Sequence, residues 1–187
     1  MKNLLLLAIS LPLLLGGCGE KTTVEPELQK RGEYPDKIAY LKGSDTPYTG
    51  TQTYWHKNGQ KILEATFKDG KFDGLLQRWH ENGTKWSEVN YKGGKEDGLQ
   101  LDWYKNGQKK AEYIYSDGNK LLYTFWRVNG QKVEEYTYKG VNDQFGNPLK
   151  DGLSTEWYDN GQKKSEAIYK DGKEISSKEW NEDGSPK

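Results

Sequence analysis

The tightest constraint on this chain is a five-residue phrase that keeps returning. Trp55-His56-Lys57-Asn58-Gly59 comes back as Trp79-His80-Glu81-Asn82-Gly83, Trp103-Tyr104-Lys105-Asn106-Gly107, Trp126-Arg127-Val128-Asn129-Gly130 and Trp157-Tyr158-Asp159-Asn160-Gly161. It closes as Trp180-Asn181-Glu182-Asp183-Gly184, with Asp in place of Asn. Successive tryptophans of the phrase stand 24, 24, 23, 31 and 23 residues apart. A fixed period of this length marks a repeat array, in which each unit buries surface only against its neighbours. The long interval places an insertion around Gly140–Lys150, with its turn expected at Asn147-Pro148.

Other columns keep step with the tryptophans. Six residues on stand Lys61, Lys85, Lys109, Lys132 and Lys163. Nine on stand Glu64, Glu88, Glu112, Glu135 and Glu166. Twelve on stand Phe67, Tyr91, Tyr115, Tyr138 and Tyr169. A second turn follows at Asp69-Gly70, Gly93-Gly94, Asp117-Gly118 and Asp171-Gly172. Asn-Gly between alternating runs is a strong hairpin signal, because Gly takes the positive φ that the turn needs. Leu99-Gln100-Leu101-Asp102-Trp103 alternates with period two, and no stretch shows capped helical periodicity. Each unit therefore reads as two strands and two turns. With Lys57-Asn58-Gly59 as a three-residue loop, Trp55 pairs with Lys61. The expected faces are Trp55 with Leu63, Ala65 and Phe67 on one side, and Glu64 with Tyr54 and His56 on the other. The column Trp55, Trp79, Trp103, Trp126, Trp157 and Trp180 is then a structural aromatic stack. One hairpin is marginal, so the array is needed. The fold class is all-β: an elongated antiparallel β-meander of tandem hairpins.

Composition agrees. Charged residues are 30% and mean hydropathy is −1.05, but aromatics reach 13%, which disordered chains lack. Lys+Arg and Asp+Glu balance at 28 each, so no bulk attraction to nucleic acid is expected. The single Cys excludes an internal disulfide framework.

That cysteine closes a leader. Met1-Lys2-Asn3 is a positive start, and Leu4 to Leu15 is an apolar run too short to span a bilayer. Leu15-Gly16-Gly17-Cys18 resembles the bacterial lipobox. The resemblance implies cleavage of a signal peptide, residues 1–17, and acylation of Cys18. Gly19, rather than Asp, after the Cys favours the outer membrane, facing the periplasm. Residues 18–47 hold Pro26, Pro35 and Pro47 and read as an extended tether, with Ile38-Ala39-Tyr40-Leu41 as a first short strand that caps the repeats. Residues 48–187 are the repeat domain, about five full units and a truncated sixth.

The units resemble the MORN-repeat variant of bacterial proteins, whose pattern is roughly Gly-x-x-x-x-Trp/Tyr-Tyr-x-Asn-Gly-x-x-x-x-Glu-x-x-Tyr-x-Asp-Gly. The run from Gly98 to Gly107 matches closely, as does Gly152 to Gly161; Leu122 and Ser176 replace the opening Gly in the fourth and sixth units. Proteins of this kind are commonly labelled YwqK-type antitoxins of toxin–antitoxin systems. The resemblance thus implies a meander that binds, and a toxin as the thing bound.

Catalytic chemistry is hard to find. His56 and His80 occupy one column, but its later members are Tyr104, Arg127, Tyr158 and Asn181, so a two-His metal site lacks a third fixed ligand. Equivalent Glu residues in equivalent settings do not make an acid/base pair, which needs different environments. Asp-Gly pairs are turns rather than calcium loops. No enzyme activity, metal or cofactor is expected. The varied column His56, His80, Tyr104, Arg127 and Tyr158 is the candidate binding set, because a face that changes from repeat to repeat suits one irregular protein partner. The expectation is a membrane-anchored protein-binding module, an antitoxin or immunity protein acting by occlusion. The alternative is an envelope module that binds peptidoglycan, another glycan or phospholipid. The lipobox predicts that Cys18→Ala moves the protein from the membrane to the soluble fraction; unchanged fractionation would refute it.

Overall fold

The computed structural model describes residues 26–31 and 38–187. Cys18 and the leader lie outside the described residues. A short antiparallel pair, β1 (Leu28–Arg31) and β2 (Ile38–Leu41), precedes one eleven-stranded antiparallel sheet. Its strands are β3 (Gly50–Trp55), β4 (Lys61–Lys68), β5 (Lys71–Trp79), β6 (Lys85–Lys92), β7 (Lys95–Trp103) and β8 (Lys109–Ser116), then β9 (Asn119–Trp126), β10 (Lys132–Asn142), β11 (Pro148–Trp157), β12 (Lys163–Lys170) and β13 (Lys173–Glu179). Spatial order equals chain order, so the sheet is the meander that the repeats imply. Among the described residues there is no helix.

Two turns alternate along it. At the Asn-Gly turn, His56 N–H donates to Gln60 O at 2.8 Å and Gly59 N–H to His56 O at 2.9 Å, which leaves the three-residue loop Lys57-Asn58-Gly59. Gly59 has φ 80°, in the left-handed region. Asn58 Oδ1 accepts from Gln60 N at 3.1 Å, and Asn106 and Asn129 repeat this bond to Gln108 and Gln131. An acceptor on a short stem at this place fixes the loop. Asp183 does the same job for Ser185 at 2.9 Å, which explains why Asp is accepted in the last unit. At the second turn Asp69 and Gly70 both have positive φ, 50° and 76°, the geometry that matches the twist of a two-residue hairpin.

Trp55 pairs with Lys61, as the three-residue loop requires, but the next pair is Tyr54 with Leu63. Ile62 is an extra residue, a bulge. The same slip recurs after Trp79, Trp103, Trp126 and Trp157. It corrects the expected faces. Opposed residues share a face, so Trp55 lies with Lys61, Thr53 and Glu64, while Leu63, Ala65 and Phe67 lie with Tyr54 and Gln52 on the other. One inserted residue inverts the alternation between Lys61 and Glu64, and period-two counting across the turn misses that.

The buried core is small and sits at the start of the array. Ala65, Phe67 and Leu76 are buried together with Ala39 of β2, and Leu28, Tyr48, Leu63, Phe72 and Tyr91 pack around them. Part of the stretch read as a tether is thus folded: β1 and β2 cover the first aromatic columns. Ala39 N–H donates to Gly70 O at 2.9 Å, and Tyr48 N–H to Ala39 O at 2.8 Å. A terminal repeat has no neighbour on one side, and this pair supplies one.

The insertion lengthens β10 and β11. Its turn runs from Asp143 to Asn147, closed by Asp143 N–H to Asn147 O at 2.8 Å, and Pro148 opens β11. The turn is therefore centred on Gln144-Phe145-Gly146 and ends at Asn147, where Asn147-Pro148 was expected to form it, because Gly146, with φ 85°, provides the left-handed residue.

Trp103 stands mid-array and Trp180 at its end. Trp103→Ala should lower the unfolding free energy by about 2 kcal/mol, below the range for a fully buried Trp because the ring is only half-buried. Trp180→Ala should cost less, since it removes contacts on one side only. Chemical denaturation of the two variants checks both the size and the order.

Candidate functional site

Among the described residues the sheet has no second layer over most of its length, so each face must stabilise itself. One face repeats. Lys61 Nζ lies 5.7 Å from the Trp55 ring centre and 5.4 Å from that of Trp79, so it bridges two repeats. Lys85 reaches Trp103, Lys109 reaches Trp126, Lys132 reaches Trp157 and Lys163 reaches Trp180, at 4.9–5.9 Å. Each of these lysines also pairs with the Glu three residues on: Lys61 with Glu64, Lys85 with Glu88, Lys109 with Glu112, Lys132 with Glu135 and Lys163 with Glu166. A cation on an indole contributes about 0.5–1 kcal/mol where exposed, and a surface ion pair less. The bond from Lys85 holds the Glu88 carboxyl below its usual range. The Trp, Lys and Glu columns are one ladder whose charges are mutually satisfied, which is a structural use.

The opposite face changes from repeat to repeat. Down its middle the opposed residues run Gln52, Ala65, Leu76, Val89, Gln100, Tyr113, Tyr123, Tyr136, Ser154 and Ala167. The sixth to eighth are tyrosines whose rings lie 5.1 Å (Tyr113 to Tyr123) and 6.1 Å (Tyr123 to Tyr136) apart. Tyr115 stacks on Tyr113 at 6.1 Å. Lys120 Nζ lies within 5.1–6.0 Å of Tyr113, Tyr115, Tyr123 and Tyr138. Lys150 Nζ lies 3.7 Å from the Tyr136 ring centre. The Tyr136 hydroxyl stands 2.8 Å from Glu134 Oε2 and 3.0 Å from Glu156 Oε1.

These groups are partly buried, with carboxylates and lysines both close by. Burial, then nearby Glu96, pushes the Tyr115 phenol above its usual value. Burial and Glu134 do the same to Tyr123 and Tyr136. Burial also raises the Asp102 and Glu96 carboxyls and lowers the Lys120 ammonium. Sequence reading missed this surface, since it followed the columns that repeat. The signal lay in the departures: the position ten after Trp reads Ala65, Val89, Tyr113, Tyr136, Ala167.

The column proposed for binding lies elsewhere. Tyr104 and Tyr158 donate their hydroxyls to the carbonyls of Trp126 and Trp180, both at 2.8 Å. His80 Nε2 lies 3.2 Å from Trp103 O. Arg127 pairs with Asp159 in the next unit. The first member, His56, closes its own turn through its amide. Four of these side chains therefore clip one hairpin to the next. Asp73, Asp97 and Asp151 form an overlooked column that accepts the turn amides of Gly93, Asp117 and Asp171 at 3.0, 3.4 and 3.1 Å. Among the described residues no three His, Cys, Asp or Glu gather as a metal site.

The phenols make stability depend on alkaline pH. Their folded values lie above the ordinary value near 10, so folding favours the neutral form. Their contribution is complete below pH about 10 and is lost as pH rises past it. Unfolding should therefore set in above that pH, and Tyr115→Phe should flatten the alkaline limb. Absorbance titration at 295 nm beside denaturant melts tests this.

Residues 48–69, 72–92, 96–117 and 150–171 match the family described as MORN repeat variant. None of the curated proteins matches the chain. Two solved structures of TarM share a partial likeness. One, a variant of S. aureus TarM in complex with fondaparinux, α-GlcNAc-glycerol and UDP, is 14% identical with a TM-score of 0.33, over 55% of this chain and 19% of that one. The other, a crystal structure of TarM, is 15% identical with a TM-score of 0.34, over 62% and 20%. The chain thus spans about a fifth of those structures. The four matched segments coincide with the hairpins β3–β4, β5–β6, β7–β8 and β11–β12, so the sheet contains four repeats of the MORN variant.

Proposed function

We propose that this chain is a non-catalytic binding module, held to the bacterial envelope by a lipid on Cys18, and that the tyrosine face receives one protein partner. MORN repeats generally serve binding. The observation that carries the finer reading is the contrast between the two faces. The ladder face repeats and is internally satisfied, so it has little left to offer. The other face departs from the repeat at Tyr113, Tyr123 and Tyr136, with the Asp102 and Glu134 carboxylates close by. A regular polymer would be met by a regular row of contacts; an irregular row suits one folded surface. Tyrosine also gives large contact area at low entropic cost, which is why interfaces favour it.

The partner class that the resemblance implies is a toxin, neutralised when the sheet covers its working surface; an envelope protein held at the membrane is the other protein class. Affinity purification of the lipidated protein after cross-linking in intact cells tests the module. One dominant protein in near-equal amount is the expected result. Its recovery should fall at least tenfold with Tyr113→Ala/Tyr123→Ala, while Glu182→Gln on the far turn leaves it unchanged. If the partner is a toxin, deletion of the chain becomes harmful. Muropeptides or lipid in place of a dominant protein would overturn the reading in favour of an envelope-polymer binder.

A further inference from the structure

The insertion carries an aromatic side chain that the described residues leave uncovered. Phe145 is 79% exposed, the most open large apolar residue among those described. Its loop has the same main-chain pattern as the Asn-Gly turns: first N–H to fifth carbonyl, fourth N–H to first carbonyl, and a left-handed Gly in fourth place. In those turns the third residue is Asn or Asp, and its side chain accepts the fifth amide. Here the third residue is Phe145, and that duty has moved to the first. Asp143 Oδ1 accepts Phe145 N at 2.8 Å and Asn147 N at 2.9 Å, and Oδ2 accepts Asn147 Nδ2 at 3.2 Å. These amides hold the Asp143 carboxyl below its usual range. The transfer frees the tip position for an aromatic ring without loosening the loop.

The base of the hairpin is packed by side chains from neighbouring strands. A Cβ on Gly140 would come within 2.7 Å of Leu121 Cδ2, and one on Gly172 within 2.9 Å of Leu149 Cδ2. Leucines on β9 and β11 thus press on glycines at the base of the hairpin and beside it, where the regular units have only a two-residue turn.

We propose that this hairpin is a plug, and that Phe145 seats in an apolar pocket of a protein partner. A rigid aromatic anchor ringed by polar groups is the composition of an interface hot spot, and a fixed loop avoids the ordering cost of binding. The ring here is Asn142, Gln144 and Asn147, all exposed. A bilayer is the wrong occupant. From Val141 to Pro148 there is no Lys or Arg to meet anionic headgroups, and the one charge is Asp143. The plug goes beyond the tyrosine-face reading and does not need it.

The test places the photoreactive p-benzoylphenylalanine at position 145 of the full chain in intact cells, and at Val128, which is 55% exposed on another turn, as control. Position 145 should give one discrete protein adduct, at least tenfold above Val128, with the attached peptide apolar at the point of linkage. Capture of that same protein should fall at least tenfold with Phe145→Ser and persist with Phe145→Leu. Asp143→Ala should weaken capture, with Asp143→Asn retaining more, and the melting temperature should stay unchanged in all four variants. An adduct with lipid, an adduct no stronger than at Val128, or full capture by Phe145→Ser would each overturn the plug. Capture that depends on Phe145 but not on Tyr123 would uphold it and refute the tyrosine face, and the converse result would do the reverse.

Discussion

A lysine ammonium set between the indoles of successive hairpins is the contact on which this protein rests. A single-layer sheet has no interior along most of its length. Backbone hydrogen bonds join each hairpin to the next, and the side-chain burial that a second layer would supply must come instead from residues that reach sideways across strands. Lys61 does so between Trp55 and Trp79, and Glu64 neutralises it from the same face. That arrangement exists only because one bulged residue follows each Asn-Gly turn. Were Ile62 and its counterparts held in a regular ladder instead of a bulge, Lys61 and Glu64, three residues apart, would point to opposite sides, and the rung would have a cation with no counter-ion.

The consequence for function is a division of labour between faces. The ladder face and the clips from Tyr104, Tyr158 and Arg127 fix the geometry. The other face is released from that task once the β1–β2 pair has covered its first columns. Residues there can change from unit to unit without breaking a rung. In the middle of the array they have become tyrosines and acids, and in the fourth unit the second turn has grown into a hairpin with Phe145 at its tip.

Much of this was legible in the sequence. The Asn-Gly and Asp-Gly pairs gave both turns, and the Trp period gave the meander, because turn chemistry and periodicity act locally. The faces were not legible, since a bulge of one residue leaves no mark in composition yet inverts every side chain beyond it. The clips were misread for a different reason. A varied column looks free to bind, but Tyr, His and Arg are interchangeable as side chains long enough to reach the next hairpin. Variation at Tyr104 or Arg127 therefore reflects a tolerant structural task. The tyrosine surface is hard to see in the sequence because it consists of the positions that do not repeat.

The equality of spatial and chain order in the eleven strands has a mechanical consequence. Tension applied between the two ends of the chain runs across the strands, not along them. The hydrogen bonds of each strand pair are then loaded one after another, as in a zipper, and never all together in shear. Each unit that opens releases roughly 80 Å of extended chain and leaves the next rung intact. An array of this kind yields to force in steps, beginning at whichever end is pulled, and it can re-form from the units that remain.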